Sequence, residues 1–188
     1  MCKLKKATVL FGSPHNDGHS SKLLSSFLSG LKNYDVNVID SYKVGIKPCI
    51  DCKHCIQNSK CSLNDFSQID EFIRLSSLII IATPVYNLSF PAPLKAIFDR
   101  MQLYYSYKVS NKRVIPKNVS KKCILLLTCG KSQHPAIDII KEQLKLILLP
   151  LNSKLDYSIT IENTDKNLNY DKKLNEAVNL AKNLSQET

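Results

Sequence analysis

No stretch of this sequence approaches the ~20 consecutive apolar residues that a membrane-spanning helix requires. A spanning segment is therefore not expected, and the chain is read as cytoplasmic. Its start, MCKLKKATVLFGSP, sets lysines before a short apolar run. The longer apolar core and small-residue cleavage site of a signal peptide are lacking, so that run is predicted to be a first strand. No G-K-[ST] follows the early glycine, and no G-x-G-x-x-G occurs there either. Walker-type and dinucleotide-fingerprint loops are thereby set aside. No helix-turn-helix, RRM or zinc-finger pattern is present, which makes nucleic acid an unlikely partner. Neither a Ser-His-Asp arrangement nor a pair of carboxylates placed for acid–base work is found. Linkers, internal repeats and low-complexity tracts are missing as well, so residues 1–188 are expected to form a single domain.

What the sequence does have is an alternation of strand-like and helix-like segments. Strands are predicted over 5–11, 35–39, 78–82, 123–128 and 155–161. Helices are predicted over 19–32, 66–75, 94–104, 136–149 and 170–184, with Pro150 ending the fourth. A basic loop is expected over 105–121. The runs LIIIA and CILLLT are continuously apolar, as in strands buried on both faces of a parallel sheet. Five strands alternating with helices predict an α/β fold: a doubly wound, flavodoxin-like sheet of five parallel strands, order 2-1-3-4-5, with helices on both faces. In such sheets ligands bind beyond the carboxyl ends of the strands. Three of those ends carry small or special residues: Gly12-Ser13-Pro14, Thr83-Pro84-Val85-Tyr86-Asn87 and Thr128-Cys129-Gly130. The predicted order sets them side by side.

The first of these ends opens a hydroxyl-rich loop that leads into a helix. The N–H groups and positive dipole end of such a helix suit a phosphate. An ordinary capped turn, with serine as N-cap, is the alternative. A net charge of +10, from 26 Lys+Arg against 16 Asp+Glu, favours anionic ligands in general. Seven cysteines are many for this length, and four of them crowd into Cys49-x2-Cys52-x2-Cys55-x5-Cys61. Such crowding in a cytosolic chain points to metal or redox chemistry. Four-cysteine ligation of an iron–sulfur cluster, structural zinc and dithiol redox chemistry all remain open for this motif. Cys2, Cys123 and Cys129 are read as bystanders.

The pieces GSPHNDGHSSKLL, PCIDCKHCIQNSKC, TPVYNLSFPAPLKAIFDRM and LLLTCGK together resemble the flavodoxin-like NAD(P)H-dependent FMN reductases, and among them the iron–sulfur flavoproteins. That resemblance implies an enzyme, an FMN-dependent oxidoreductase passing electrons between a reductant, ferredoxin or NAD(P)H, and an acceptor. It implies FMN as cofactor, with Ser13, Pro14, His15, Asn16, Gly18, His19, Ser20 and Ser21 around its phosphate. Thr83, Pro84, Val85, Tyr86 and Asn87 would line one side of the ring, and Thr128, Cys129 and Gly130 the other. Cys49, Cys52, Cys55 and Cys61, in a loop insertion over 43–64, would hold a 4Fe–4S cluster, with Lys47, Lys53 and Lys60 offsetting its charge. Homodimers or homotetramers are usual in the family. No side chain is expected to act as nucleophile or base, because the chemistry would be centred on the flavin. Tyr86 and a loop over 104–117 are expected to shape access to the ring. Asp99-Arg100 matches the family's helix motif and is read as an ion pair or cap that fixes the loop. His15 and His19 stand where the family more often has other residues. A cluster-free FMN or quinone reductase is the near alternative. A zinc-stabilised basic binding module is the alternative from another class.

Overall fold

The computed structural model describes residues 4–110, 120–132, 134–166 and 169–186. Cys2 and positions 111–117 of the expected access loop lie outside them. In chain order the elements are β1 (Lys5–Phe11), α1 (His19–Gly30), β2 (Tyr34–Asp40), α2 (His54–Asn58), α3 (Ser67–Leu75), β3 (Leu78–Pro84), α4 (Ala92–Arg100), α5 (Gln102–Ser110), β4 (Lys121–Thr128), α6 (His134–Leu148), β5 (Ser153–Ile161) and α7 (Asp171–Gln186). All five strands are parallel and lie in one sheet in the order β2-β1-β3-β4-β5. This is the flavodoxin-like arrangement. Among the described residues no helix is long and apolar enough to cross a membrane.

Alternation along the strands splits the core in two. Leu10, Ile79, Ile81, Leu125 and Leu127 point to one face, where Phe66, Ile73, Leu94, Ile97, Ile140 and Leu144 cover them. Val9, Phe11, Ile80, Ala82, Ile124 and Leu126 point to the other, beneath Leu23, Phe27, Ala177, Ala181 and Leu184. Full burial of each large aliphatic side chain contributes about 2 kcal/mol. Because both faces are covered, the central strands read as unbroken apolar runs.

Several boundaries differ from the sequence expectation. β3 does not stop at Ala82 but continues through Thr83 to Pro84, which pairs in register with Thr128. The helix expected over 94–104 ends at Arg100, and a second one, α5, begins at Gln102. Part of the expected basic loop is therefore helical. The apolar residues of QLYYSYKVS do not recur at helical spacing, so pattern alone does not reveal it. Tyr104 belongs to this helix and not to an access loop: it is buried and donates its hydroxyl to Asp70 Oδ1 at 2.9 Å. Between β4 and β5 the register slips at Cys123/Ile124. There the Asp156 carboxylate accepts from the Cys123 N–H at 3.0 Å, replacing the missing ladder bond.

β4 opens on a buried lysine. Lys121 Nζ donates to the carbonyls of Arg74 and Ser76 at the end of α3, at 2.8 and 2.5 Å. Burial, and secondarily the charge of Arg74, push its ammonium down to about 8. Below pH 8 the lysine is charged both folded and unfolded. Between pH 8 and its ordinary value of 10.5, the folded chain has released a proton that the unfolded chain keeps, so stability rises with pH across that window. Relative to a Lys121→Met variant, urea unfolding of the wild type is expected to gain up to about 3 kcal/mol over it. Parallel pH curves for the two proteins would contradict this.

Candidate functional site

The three marked strand ends come together. Gly12 N–H donates to the Ala82 carbonyl at 2.8 Å, and Val85 N–H to the Thr128 carbonyl at 2.9 Å. Cys129 N–H donates to the Ile161 carbonyl at 2.8 Å. The ladder thus runs past each strand and holds the ends in line. At Gly12 the packing leaves no room for a side chain: a Cβ would stand 2.6 Å from Leu94 Cδ2 and 2.7 Å from Thr83 Oγ1.

Beyond Gly12 the chain leaves the sheet. Ser13 is buried, and its hydroxyl accepts from the His15 N–H at 3.3 Å. Pro14, His15, Asn16 and Asp17 are exposed. Helix α1 then starts at His19, with Gly18 as N-cap and no side chain capping it. The serine-capped turn that the sequence left open is therefore not what forms. The first-turn N–H groups of α1 have no helical acceptor and no side-chain cap, which is the donor set and field that an anion needs. Lys43, paired with Asp40 at 3.0 Å, also donates to Asn16 Oδ1 at 3.3 Å and brings positive charge to the loop.

Two side-chain bonds tie this loop to the far side of the site. Ser20 Oγ and Thr128 Oγ1, both buried, are 2.7 Å apart. His19 Nδ1 lies 2.7 Å from the Tyr170 hydroxyl, with the two rings edge to face. His19 is thereby oriented, whereas His15 is open to solvent; Ser21 is half-buried beside them.

The second strand end forms a tight hairpin. Tyr86 N–H bonds the Ser89 carbonyl and Ser89 N–H bonds that of Tyr86, each at 2.9 Å. Asn87 and Leu88 between them have φ of 49° and 61°. Positive φ at both central positions is the primed turn that matches strand twist. Asparagine tolerates it, but leucine is strained there. Tyr86 and Leu88 are both exposed and present an apolar surface at the strand ends. Leu88→Gly is expected to raise stability by about 1 kcal/mol through relief of that strain. Thermal unfolding decides; a lowered melting temperature would show that Leu88 packs more than it strains.

The third end is closed from the C-terminal side. Thr164 Oγ1 donates to the Cys129 carbonyl at 3.1 Å, and Asp165 N–H to that of Gly130 at 3.2 Å. The Asp165 carboxylate sits where a Gly130 Cβ would be, 2.6 Å from its position. Burial, and then Glu162, push the Cys129 thiol up to about 11, so it is a neutral thiol at physiological pH. Cys123 is fully buried in β4, and burial pushes its thiol up as well.

The four-cysteine segment lies elsewhere, against α4 and α5. It is not wholly loop, since it contains α2. Cys49, Cys52, Cys55 and Cys61 all line one cavity of about 210 Å³, together with Arg100, Gln102, Tyr105 and Ser106. Cys52 Sγ meets Ser62 Oγ at 3.1 Å, and Cys55 Sγ meets Ser106 Oγ at 3.3 Å. The Ser62 hydroxyl, and then the His54 backbone, hold the Cys52 thiol below its ordinary value. Of the expected charge-balancing lysines, Lys53 is paired with Asp51 at 2.6 Å. Among the described residues, no three cysteine, histidine or acidic side chains are grouped to hold a single metal ion. A larger apolar cavity of about 630 Å³ between Phe98, Met101, Tyr105, Leu146 and Leu149 involves none of the strand-end residues.

Arg100 behaves as the sequence suggested for a residue that fixes the loop. Tyr170, Thr164, Asp165 and Lys43 were not anticipated. Each reaches the site from an element remote in sequence and carries no motif.

This order of five parallel strands defines a flavodoxin-like protein. The family model for NADPH-dependent FMN reductase matches residues 6–152, and the chain belongs to that family. It is an oxidoreductase, not a zinc-stabilised binding module. Among solved structures it is similar to an NAD(P)H:quinone oxidoreductase from Methanothermobacter marburgensis, with 18% identity, 98% of each chain covered and a TM-score of 0.75. It is also similar to an FMN-dependent NADH-azoreductase from Bacillus anthracis str. Ames Ancestor, in complex with FMN. There identity is 14%, the match covers 96% of this chain and 98% of that one, and the TM-score is 0.65. At these identities the likeness is one of fold. A comparison with curated proteins finds no match.

Proposed function

We propose that this chain is a cluster-free, FMN-dependent NAD(P)H reductase acting on quinones or free flavin. The observation that carries the reading is the convergence of the uncapped α1 N-terminus with the ends of β3 and β4, joined through Ser20 and Thr128. Residues 13–21 would hold the phosphate through backbone N–H groups and hydroxyls. Residues 83–87 and 128–130 would flank the ring, mainly with backbone and small side chains that leave its face approachable. Bound FMN would supply the hydride and electron chemistry, which accounts for a site without an apparent nucleophile or paired general base. Tyr86 and Leu88 supply apolar surface against which a flat acceptor can rest. NAD(P)H would stack transiently at the same place.

Heat release of FMN from the purified protein, followed by NAD(P)H oxidation with a soluble quinone, tests this reading. The expected result is about one FMN per chain and quinone-dependent oxidation. A colourless protein with no affinity for FMN would overturn it.

One observation favours a second reading, in which a 4Fe–4S cluster relays single electrons: all four cysteines are among the residues lining one cavity. Cluster thiolates each bind a different iron, so they need not converge on one point. About four iron and four sulfide per chain after anaerobic purification would support it. Flavin bands without iron would leave the cluster-free reading in place.

A further inference from the structure

We propose that Tyr170 is a positioning residue for the FMN phosphate: its hydroxyl holds the His19 ring so that Nε2 carries a hydrogen and donates it to the phosphate beside the first turn of α1. The proposal rests on the reading of that helix start as the phosphate site. His19 and Ser20 are the first two residues of α1, and each is bonded to a different element. Ser20 Oγ is held on Thr128 Oγ1 at the end of β4, at 2.7 Å. His19 Nδ1 is held on the Tyr170 hydroxyl, also at 2.7 Å, and the two rings meet edge to face with centroids 5.4 Å apart. The tyrosine is itself anchored. Its ring packs against the core on the α1 side of the sheet. Its carbonyl accepts from the N–H groups of Lys173 and Leu174, at 2.8 and 3.2 Å, where α7 begins. α7 lies along α1, and Lys32 N–H, just past the far end of α1, donates to Ser185 Oγ at 2.8 Å. The helix pair thus fixes the tyrosine hydroxyl relative to the first turn of α1.

The hydroxyl decides which ring nitrogen carries the hydrogen. A phenol is a stronger acid than the N–H of a neutral imidazole, and a bare imidazole nitrogen is a better acceptor than a phenol oxygen. With a neutral ring, Tyr170 therefore donates to Nδ1, and the imidazole hydrogen stands on Nε2. With a charged ring both nitrogens carry hydrogen, and Nδ1 donates to the tyrosine oxygen instead. Nε2 is a donor in either state, and a charge-assisted one in the second. Among the described residues no other side chain bonds the His19 ring, which leaves this donor for a ligand. It belongs to the helix start where the backbone donors are also unused. The first helical bond of α1 runs from Lys22 N–H to the Gly18 carbonyl at 3.0 Å, so the N–H groups of His19, Ser20 and Ser21 have no helical acceptor. Backbone N–H groups and a ring N–H at one helix start suit a phosphate dianion. They give the site a means of telling FMN from riboflavin, which lacks the phosphate. Among the described residues nothing similar braces His15, which is exposed. Tyr170 lies beyond residues 6–152, the span that matches the family model.

The test sets FMN against riboflavin. Each is titrated into the flavin-free chain, as wild type, Tyr170→Phe and His19→Ala, and followed by flavin fluorescence. Tyr170→Phe is expected to weaken FMN binding about fivefold and His19→Ala roughly tenfold, with riboflavin binding unchanged in both. Tyr170→Phe added to His19→Ala is expected to cause no further loss, because its effect passes through the histidine. Nitrogen-15 NMR of the histidine-labelled, flavin-free chain, at a pH where the His19 ring is neutral, reads the tautomer directly. The hydrogen is expected on Nε2 in wild type and on both nitrogens in exchange in Tyr170→Phe. Unchanged FMN affinity in Tyr170→Phe overturns the proposal. An equal loss of both flavins also overturns it, since the tyrosine would then only brace the fold, and so does a hydrogen on Nδ1 of the neutral wild-type ring. Should Tyr170→Phe not fold, His19→Ala decides by the same ratio of FMN to riboflavin affinity. Wild type that binds riboflavin as tightly as FMN keeps the flavin site and overturns the phosphate contact. Wild type that binds neither overturns the proposal together with the FMN reading.

Discussion

Changing Ser13 and Ser20 together to alanine is expected to weaken FMN binding by roughly 100-fold, on the basis of about 1.4 kcal/mol for the hydrogen bond each hydroxyl makes. The two serines act differently. Ser13 sits at the mouth of the loop, already accepting from the His15 N–H. Its loss removes a hydroxyl donor and the anchor of the turn. Ser20 is held on Thr128 at 2.7 Å, away from solvent. Its loss leaves a buried threonine hydroxyl without that partner and detaches the start of α1 from β4. Thr128→Val cuts the same link from the other side. It is expected to reproduce the Ser20 part of the effect, about tenfold. Titration of FMN into the apo chain, followed by flavin fluorescence, measures both variants. Unchanged affinity in the double variant would make the loop a plain connection between β1 and α1.

Gly30→Ala should have the largest effect on stability, a loss of about 3 kcal/mol and a melting temperature lower by roughly 10 °C. Gly30 ends α1 where that helix meets α7. A Cβ there would run into the backbone carbonyl of Val178 and stand 3.2 Å from Ala181 Cβ. A backbone carbonyl inside a helix cannot swing aside as a side chain can, so α7 as a whole would have to move. Ala177, Ala181 and Leu184 pack from that helix onto the same face of the sheet, and the displacement would loosen them too. Ser29→Ala, one residue earlier on the exposed side, is expected to change stability by no more than about 0.5 kcal/mol. Urea unfolding of the two variants separates crowding at the helix crossing from a general effect of alanine.

The sheet was legible because its physics is local. LIIIA and CILLLT could be nothing other than doubly covered strands, and the helices between them left few topologies to choose from. The neighbouring strand ends followed from the order. What escaped the pattern depends on partners. α5 has no apolar period, and packing alone shows that Leu103 and Tyr104 face inward. The slip at Cys123 depends on Asp156, a residue of another strand. Tyr170 and Asp165 reach the site from segments with no motif, after the matched region has ended. The cysteine spacing was the clearest sequence signal, yet spacing alone does not state what the thiols enclose. Arg100 was marked by the helix motif it shares with the family, but that it joins the carbonyls of Lys47 and Leu63 shows only in the packed chain.

That closure has a consequence for how the protein can vary. The carbonyl oxygens of Lys47 and Leu63 both bond one guanidinium, so they lie within about 8 Å of each other across its planar fork. The intervening chain leaves and rejoins the body through a doorway that two or three extended residues could bridge. Residues 48–62 therefore leave and rejoin the body at one place, and a change in their length need not alter the spacing of the sheet, although Cys55 is held to α5 through Ser106. Variation of the segment is thereby confined to what hangs from a single arginine, apart from the sheet edge that carries the strand ends.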